Sequence, residues 1–294
     1  MDSSCGSAES AGTEHILRAA SSLGLLGAKA HSAIAVVGRL CDPEINMGEV
    51  ASLIEPHPAL CARVLRIANS PYYGHKRSVS TIKQAVYLLG LDSVRGIAAA
   101  ACIDRALPRS QSGGIDLAAI LRHSIATAVA AELLADEMFF ERSSEAFVAG
   151  VLHNLGVVIQ ASVDAPGLQA LIAARRADPA GDLRALEALH VSIHHERCAE
   201  LIFKEWQLPP QLVHATGYHH RPRQAPAEHR RLAAVVCAAG KLALACGYTF
   251  SLEPVPTPLD EHLRNDLELT ESDVEELAAR LSPKIAEMQA AMTS

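Results

Sequence analysis

From Glu14 to Met292 the chain reads as one apolar-periodic helical segment after another. Nowhere does it show the two-residue alternation, bounded by turn signals, that marks a half-buried strand. A chain of 294 residues written this way has to bury its apolar stripes helix against helix. Hydrophobic residues make up 49% but aromatics only 4%, and alanine is abundant. Sheets draw on aromatic and β-branched residues, so the composition points the same way. The expected fold class is all-α.

Punctuation divides the run. Residues 1–13 read as a disordered tail, and helical periodicity then continues to about Leu40. Asn46 followed by Glu49 has the spacing of a capping box, and His57-Pro58 opens a further helix with proline in the first turn. Asn69 to Gly74 is a loop. Ser80 is expected to cap TIKQAVYLL, Gly90 to stop it, and Asp92 to cap the next helix. Pro108–Gly114 is the strongest boundary. Beyond it, helices are expected over Ile115–Met138, around Gly167–Arg176, over Leu183–Trp206, Leu212–Tyr218 and Leu232–Ala245. The organisation is therefore an N-terminal helical lobe over 14–107, a second lobe over 113–247, and a Pro-rich connector with acidic C-terminal helices over 248–294.

Within the second lobe, Phe147–Val158 is an apolar helical run interrupted by His153 and Asn154. A buried imidazole and amide need partners, because leaving one unpaired costs about 1–3 kcal/mol. They are either core polar groups bonded to nearby backbone or part of a metal or phosphate site. His123, His195, His219 and His220 fall on neighbouring helices, where one bundle interior could collect them with His153. Neutral imidazole is the commonest side-chain ligand for borderline metals. Trp206, before a Pro-Pro turn, reads as a core anchor, and Tyr72 and Tyr73 as packing between the lobes.

Charge and cysteine usage exclude several classes. The net charge is −7 and the pI about 6.0, which sets a dedicated nucleic-acid binder aside. A local basic stretch, Cys61–Gly96, has six basic residues against Asp92, and Glu253 to the end has ten acids against three basic residues. Both read as solvated helix faces, or as segments that meet each other or a charged partner. TIKQAVYLL-Gly-Leu-Asp-SVRGIA has helix–turn–helix spacing, for which plain packing is the commoner use. Seven scattered cysteines without a Cys-x-x-Cys pair read as reduced thiols. No signal peptide and no apolar run of membrane-span length is read from the sequence.

Five words in order give the chain a family likeness: LIEPHPALCARVLRIANSPYYG at 53–74, TIKQAVYLLGLDSVRGIA at 81–98, LRHSIATAVAAELLA at 121–135, FVAGVLHNLGVV at 147–158 and KEWQLPPQLVHATGYHHRP at 204–222. Over roughly residues 20–247 the chain resembles the HDOD family, the HD-related output domain of bacterial signalling proteins. That family is similar to the HD-superfamily phosphohydrolases, in which a helix histidine, a His-Asp pair and a later aspartate bind metal. By this resemblance His123 matches the first histidine and His153 the histidine of the pair. His195, His219 and His220 match the additional histidines of HD-GYP phosphodiesterases. Asn154 stands in place of the aspartate of the pair, and Gly240 in place of the final aspartate.

The two departures bear on chemistry. Catalytic divalent ions need anionic oxygen ligands, and magnesium wants them in octahedral geometry. A zinc- or nickel-like ion can be held by three or four imidazoles. The resemblance therefore implies a non-catalytic, cytoplasmic signal-transduction regulator that acts through contacts with a signalling protein partner. No cofactor is required, and His123, His153, His195, His219 and His220, with Asn154 nearby, form a vestigial divalent-metal site. The competing reading is a metal-dependent phosphohydrolase acting on a nucleotide or cyclic dinucleotide. A third is a nucleic-acid-binding module using Cys61–Gly96. No membrane partner is expected, and the oligomeric state is open.

Overall fold

The computed structural model describes residues 13–19, 44–71, 78–91, 115–138 and 143–293, together with Ser21, Val36, Arg39, Leu40, Asp42, Tyr73, Val94 and Ala98. Residues 13–19 are helical. Thirteen further α-helices follow among the described residues: α1 (Met47–Ile54), α2 (Pro58–Ala68), α3 (Ile82–Leu89), α4 (Leu117–Glu137), α5 (Ser143–Leu152), α6 (Leu155–Val163), α7 (Ala165–Ala177), α8 (Leu183–His190), α9 (His195–Glu205), α10 (Pro210–Gly217), α11 (Arg230–Ala245), α12 (Glu261–Asp266) and α13 (Glu271–Thr293). Among the described residues there is no strand, only an isolated bridge between Phe250 and Glu253. The fold is all-α. Residues 1–12 of the expected tail, Asp92 and most of the helix expected after it, residues 108–114 and Tyr72 lie outside the described residues, while Thr13, Val94 and Ala98 are helical.

Local chemistry sets the helix ends. Asn46 Oδ1 accepts from the Gly48 and Glu49 amides, and Glu49 Oε2 accepts from the Asn46 amide, a complete capping box. Asp116 caps α4 by accepting from the Ala119 amide at 3.0 Å. Gly90 ends α3 at φ 84°, where a side chain would be strained. Ser80 does not cap α3. Thr81 does, accepting from the Gln84 amide, while the Ser80 amide and hydroxyl both donate to the Gln84 side chain. Two neighbouring hydroxyls competed for one role, and the reciprocal bond to Gln84 decided it.

Two expected continuous helices are each broken. The run through Phe147–Val158 divides at His153-Asn154 into α5 and α6, and Leu183–Trp206 divides at residues 191–194 into α8 and α9. Neither break contains Gly or Pro. In the second, the buried Gln160 side chain donates to the Ile193 carbonyl at 2.6 Å and holds the turn open.

α4 lies at the centre and packs against α5, α11 and α13. From Ala119 to Ala135 it is buried nearly all round, as a core helix should be. A methyl at Gly150 of α5 would come within 2.6 Å of the Ala128 Cα, so glycine permits the close approach of α4 and α5. α4 and residues 145–163 are long and apolar enough by composition to cross a membrane, contrary to the expectation from sequence, but 72% and 89% of these windows are buried inside the protein. Trp206 is buried and stacks on Phe203. Tyr73 is half-buried against the core.

The C-terminal helices join the body. Leu277, Leu281, Ile285 and Met288 of α13 are buried in the same cluster as Val64 of α2 and Val129 of α4. α13 packs on both α4 and α2, so the acidic tail adjoins the start of the basic stretch. Gln289 also donates to the Arg122 carbonyl at 2.8 Å.

Candidate functional site

His123 comes from the middle of α4, His153 from the corner between α5 and α6, His195 from the first turn of α9, and His219 and His220 from the turn after α10. The structure brings all five together. Ring centroids run from His123 to His153 at 5.2 Å, His153 to His219 at 5.0 Å, and His219 to His195 and His220 at 5.1 and 4.2 Å. His195 can reach this row because Gly156 of α6 lies directly under its backbone, where any Cβ would collide with the His195 carbonyl oxygen.

The hydrogen bonds fix the tautomers. His123 Nδ1 lies 2.7 Å from the Tyr248 carbonyl, His153 Nδ1 2.7 Å from the Gly150 carbonyl, and His219 Nδ1 2.7 Å from the Thr216 carbonyl. A carbonyl only accepts, so each Nδ1 carries the hydrogen and each Nε2 presents a lone pair to the interior. His195 differs. Its Nδ1 meets the buried Glu187 carboxylate at 2.8 Å, and its backbone amide donates to the same oxygen at 3.0 Å. His194 Nδ1 meets the other Glu187 oxygen at 3.3 Å.

The ionisation states follow. Burial depresses His153 far below the ordinary imidazole range, reinforced by His219 and His123. Burial, then His195, pushes His219 down to about 3. Burial, then His219 and His195, takes His220 far below its usual value. Burial also lowers His123, though the Glu253 charge and the Tyr248 carbonyl oppose it. His195 is raised: burial works against its charge, but the charge and hydrogen bond of Glu187, with the charges of Glu196 and Glu253, together outweigh burial. Burial would raise Glu187 in turn, and the His195 charge with the bonds from His194 and His195 holds it well below the usual carboxylate range.

The nitrogens of His195, His219 and His220 lie within 4.8 Å of one another, with His195 Nε2 and His219 Nε2 3.2 Å apart. A proton on His195 Nε2 donated to His219 satisfies that pair. So does a tetrahedral ion, since metal–nitrogen bonds of about 2.0–2.1 Å place two ligand nitrogens about 3.3 Å apart. The buried Nε2 of His220 has no hydrogen-bond partner, as a ligand nitrogen awaiting an ion would not. The donor set fits a borderline ion such as zinc and does not fit magnesium.

Asn154 is buried beside His153, with its amide nitrogen unpartnered. Gly240 lines a cavity of about 60 Å³ with His153, His219, His220, Cys237 and Glu253, and a Cβ there would meet nothing within 4 Å. The inner carboxylates are engaged. Glu187 binds His195, and Glu196 pairs with Arg184 at 2.8 Å and accepts the His220 amide at 3.2 Å. Sequence reading missed Glu187, Glu196, Glu253 and the Tyr248 carbonyl. Glu187 and Glu196 precede and follow the His194-His195 pair, a local acid–imidazole pattern that gave a signal. The Tyr248 carbonyl had none, because every residue carries one.

Residues 26–222 match the profile of the HDOD domain. A crystal structure of an HDOD domain protein with unknown function from Geobacter sulfurreducens is similar at 25% identity and TM-score 0.73, covering 89% of this chain and 90% of that one. A candidate phosphohydrolase from Shewanella amazonensis SB2B shares the fold at 24% identity and TM-score 0.69, covering 89% and 93%. A candidate signal transduction protein from Marinobacter aquaeolei VT8 shares it at 23% identity and TM-score 0.74, covering 90% and 59%. A curated relative, an uncharacterized protein of Treponema pallidum (strain Nichols), is 24% identical over 201 residues. The match covers 66% of this chain and 37% of the relative, so the chain spans well under two thirds of that protein's length.

Proposed function

Because this chain belongs to the HDOD family, we propose that it is a signal-transduction regulator without catalysis of its own, working in the bacterial cytoplasm through contacts with a signalling protein partner. One observation carries the reading: the two positions that the HD likeness gives to metal-binding aspartates hold an orphaned amide, Asn154, and an open space, Gly240. A hydrolytic metal has to be held firmly enough to acidify a bound water and polarise a phosphoryl oxygen. Neutral imidazoles do not offset a doubly charged hard ion, and Glu187 and Glu196 are already engaged by His195 and Arg184. The five histidines then serve as a structural or ion-sensing centre whose nitrogen donors suit a borderline ion.

The second reading, a metal-dependent phosphohydrolase, is favoured by the clustering of His195, His219 and His220 nitrogens. Turnover separates the two. Cyclic di-GMP and common nucleotides, incubated with the full chain in magnesium, manganese, iron or nickel, are expected to be hydrolysed no faster than with His153→Ala. Metal-dependent hydrolysis that is lost in His153→Ala establishes the enzyme and ends the regulator reading.

A further inference from the structure

The cavity wall carries one carboxylate, Glu253. Glu253 lies 31 positions beyond the end of the HDOD match at residue 222, on the strap between α11 and α12. Its side chain is only 16% exposed and faces inward, lining the same small cavity as His153, His219, His220 and Gly240.

The strap delivers that carboxylate from a fixed backbone. The amides and carbonyls of Phe250 and Glu253 bond to each other at 3.0 and 3.3 Å. Leu252 between them is fully buried, and its carbonyl accepts from Nε of the buried Arg175 at 2.7 Å. The Phe250 ring packs on His123 at 5.1 Å, and the Tyr248 carbonyl sets the His123 tautomer. Glu253 Oε2 then stands 3.7 Å from His123 Nε2. That is too long for a hydrogen bond. It is the separation expected of two ligands on one ion, about 3–4 Å for bonds near 2.0–2.2 Å.

We propose that Glu253 supplies the anionic ligand that Asn154 and Gly240 do not, so that the histidine cavity holds one borderline divalent ion with mixed nitrogen and oxygen ligation. The inference rests on the preceding reading only in that positions 154 and 240 carry no carboxylate. Two neighbouring features fit an ion there. The His220 Nε2 is buried and unpartnered and its residue lines the same cavity, and the space in front of Gly240 is empty of protein atoms. One carboxylate among imidazoles selects zinc or cobalt over magnesium.

The test is titration of the metal-stripped full chain with Zn²⁺ or Co²⁺ against a chromophoric chelator, with the cobalt d–d bands recording the ligand field. The wild type is expected to bind one ion per chain. Glu253→Gln should weaken binding by about tenfold or more and alter the cobalt spectrum. Glu253→Gln combined with Gly240→Asp should recover much of the lost affinity, because the second change returns a carboxylate to the same cavity. That recovery also shows that the single variant lost a ligand and not its fold. Wild-type chain that binds neither ion, or Glu253→Gln that binds as tightly as wild type with the same spectrum, overturns the proposal. Phosphodiester hydrolysis, scored separately, would end the regulator reading without touching this result.

Discussion

The two ends of the histidine row are built differently. At the His195 end a fully buried carboxylate, Glu187, anchors the imidazole and favours its charged form, and the α6 backbone presses against it through Gly156. At the other end His123 and His153 are set by neutral carbonyls, the nearest carboxylate is the partly exposed Glu253, and Gly240 leaves space. A buried ion pair demands a close, fully bonded surround, because desolvation costs several kcal/mol per ion. A row of neutral rings beside a cavity makes no such demand. One end is thus locked by a buried carboxylate, and the other has none of its own.

The largest effect should come from unlocking the first end. Glu187→Gln leaves a buried His195 without its counter-charge and weakens the bonds from His194 and the His195 amide. Breaking one side of a buried pair costs about 3–5 kcal/mol, which urea unfolding at neutral pH would read directly. A loss under about 1 kcal/mol would mean that His195 is not ionised and that the two ends are alike.

Acid should act through the other rings. His153, His219 and His220 have folded values depressed below the ordinary 6.5. The unfolded chain therefore binds more protons, and their contribution is fully present above that value and lost as pH falls. With a folded value of about 3, His219 alone gives up about 2 kcal/mol by pH 5. His195 is raised and runs the opposite way: its contribution is present below 6.5 and lost as pH rises through its folded value. Urea midpoints of the metal-free chain between pH 8 and pH 5 should fall on acidification, and His219→Asn should flatten the slope. A midpoint that rises on acidification would place His195 in control of the whole row.

The two glycines give the smallest and sharpest contrast. Gly156→Ala forces α6 away from the His195 carbonyl and should cost about 1–3 kcal/mol. Gly240→Ala lies in the interior of α11 with free space before it, and should stabilise by about 0.5–1 kcal/mol. Thermal melts of the pair would show whether the closed and open ends carry over to solution.

Much of the fold was legible because its signals are local. The Asn46–Glu49 box, the stop at Gly90 and the gathering of the histidine helices follow from spacing and side-chain type. The breaks at His153-Asn154 and at residues 191–194 were not legible, because tertiary bonds such as Gln160 to Ile193 hold them and no helix-breaking residue marks them. The site was legible in its imidazoles and illegible in what orients them. The acceptors are main-chain carbonyls of Gly150, Thr216 and Tyr248, and a carbonyl has no sequence signature. Glu253 was counted only as one acid among ten in the C-terminal segment. Nothing in that charge run distinguishes a residue turned inward by a pinned backbone.

The bond between His123 and the Tyr248 carbonyl spans 125 residues, and that between Gln289 and Arg122 spans 167. Contacts so distant in sequence form late and slowly, since chain closure has to precede any return from them. On a ribosome adding about 5–20 residues per second, His123 and His153 are in place many seconds before Tyr248, Phe250 and Glu253 emerge. During that interval the row of imidazoles has walls but no roof. The strap therefore closes a cavity whose imidazole walls are synthesised first, so the order of synthesis leaves a stage in which the row is open to solvent.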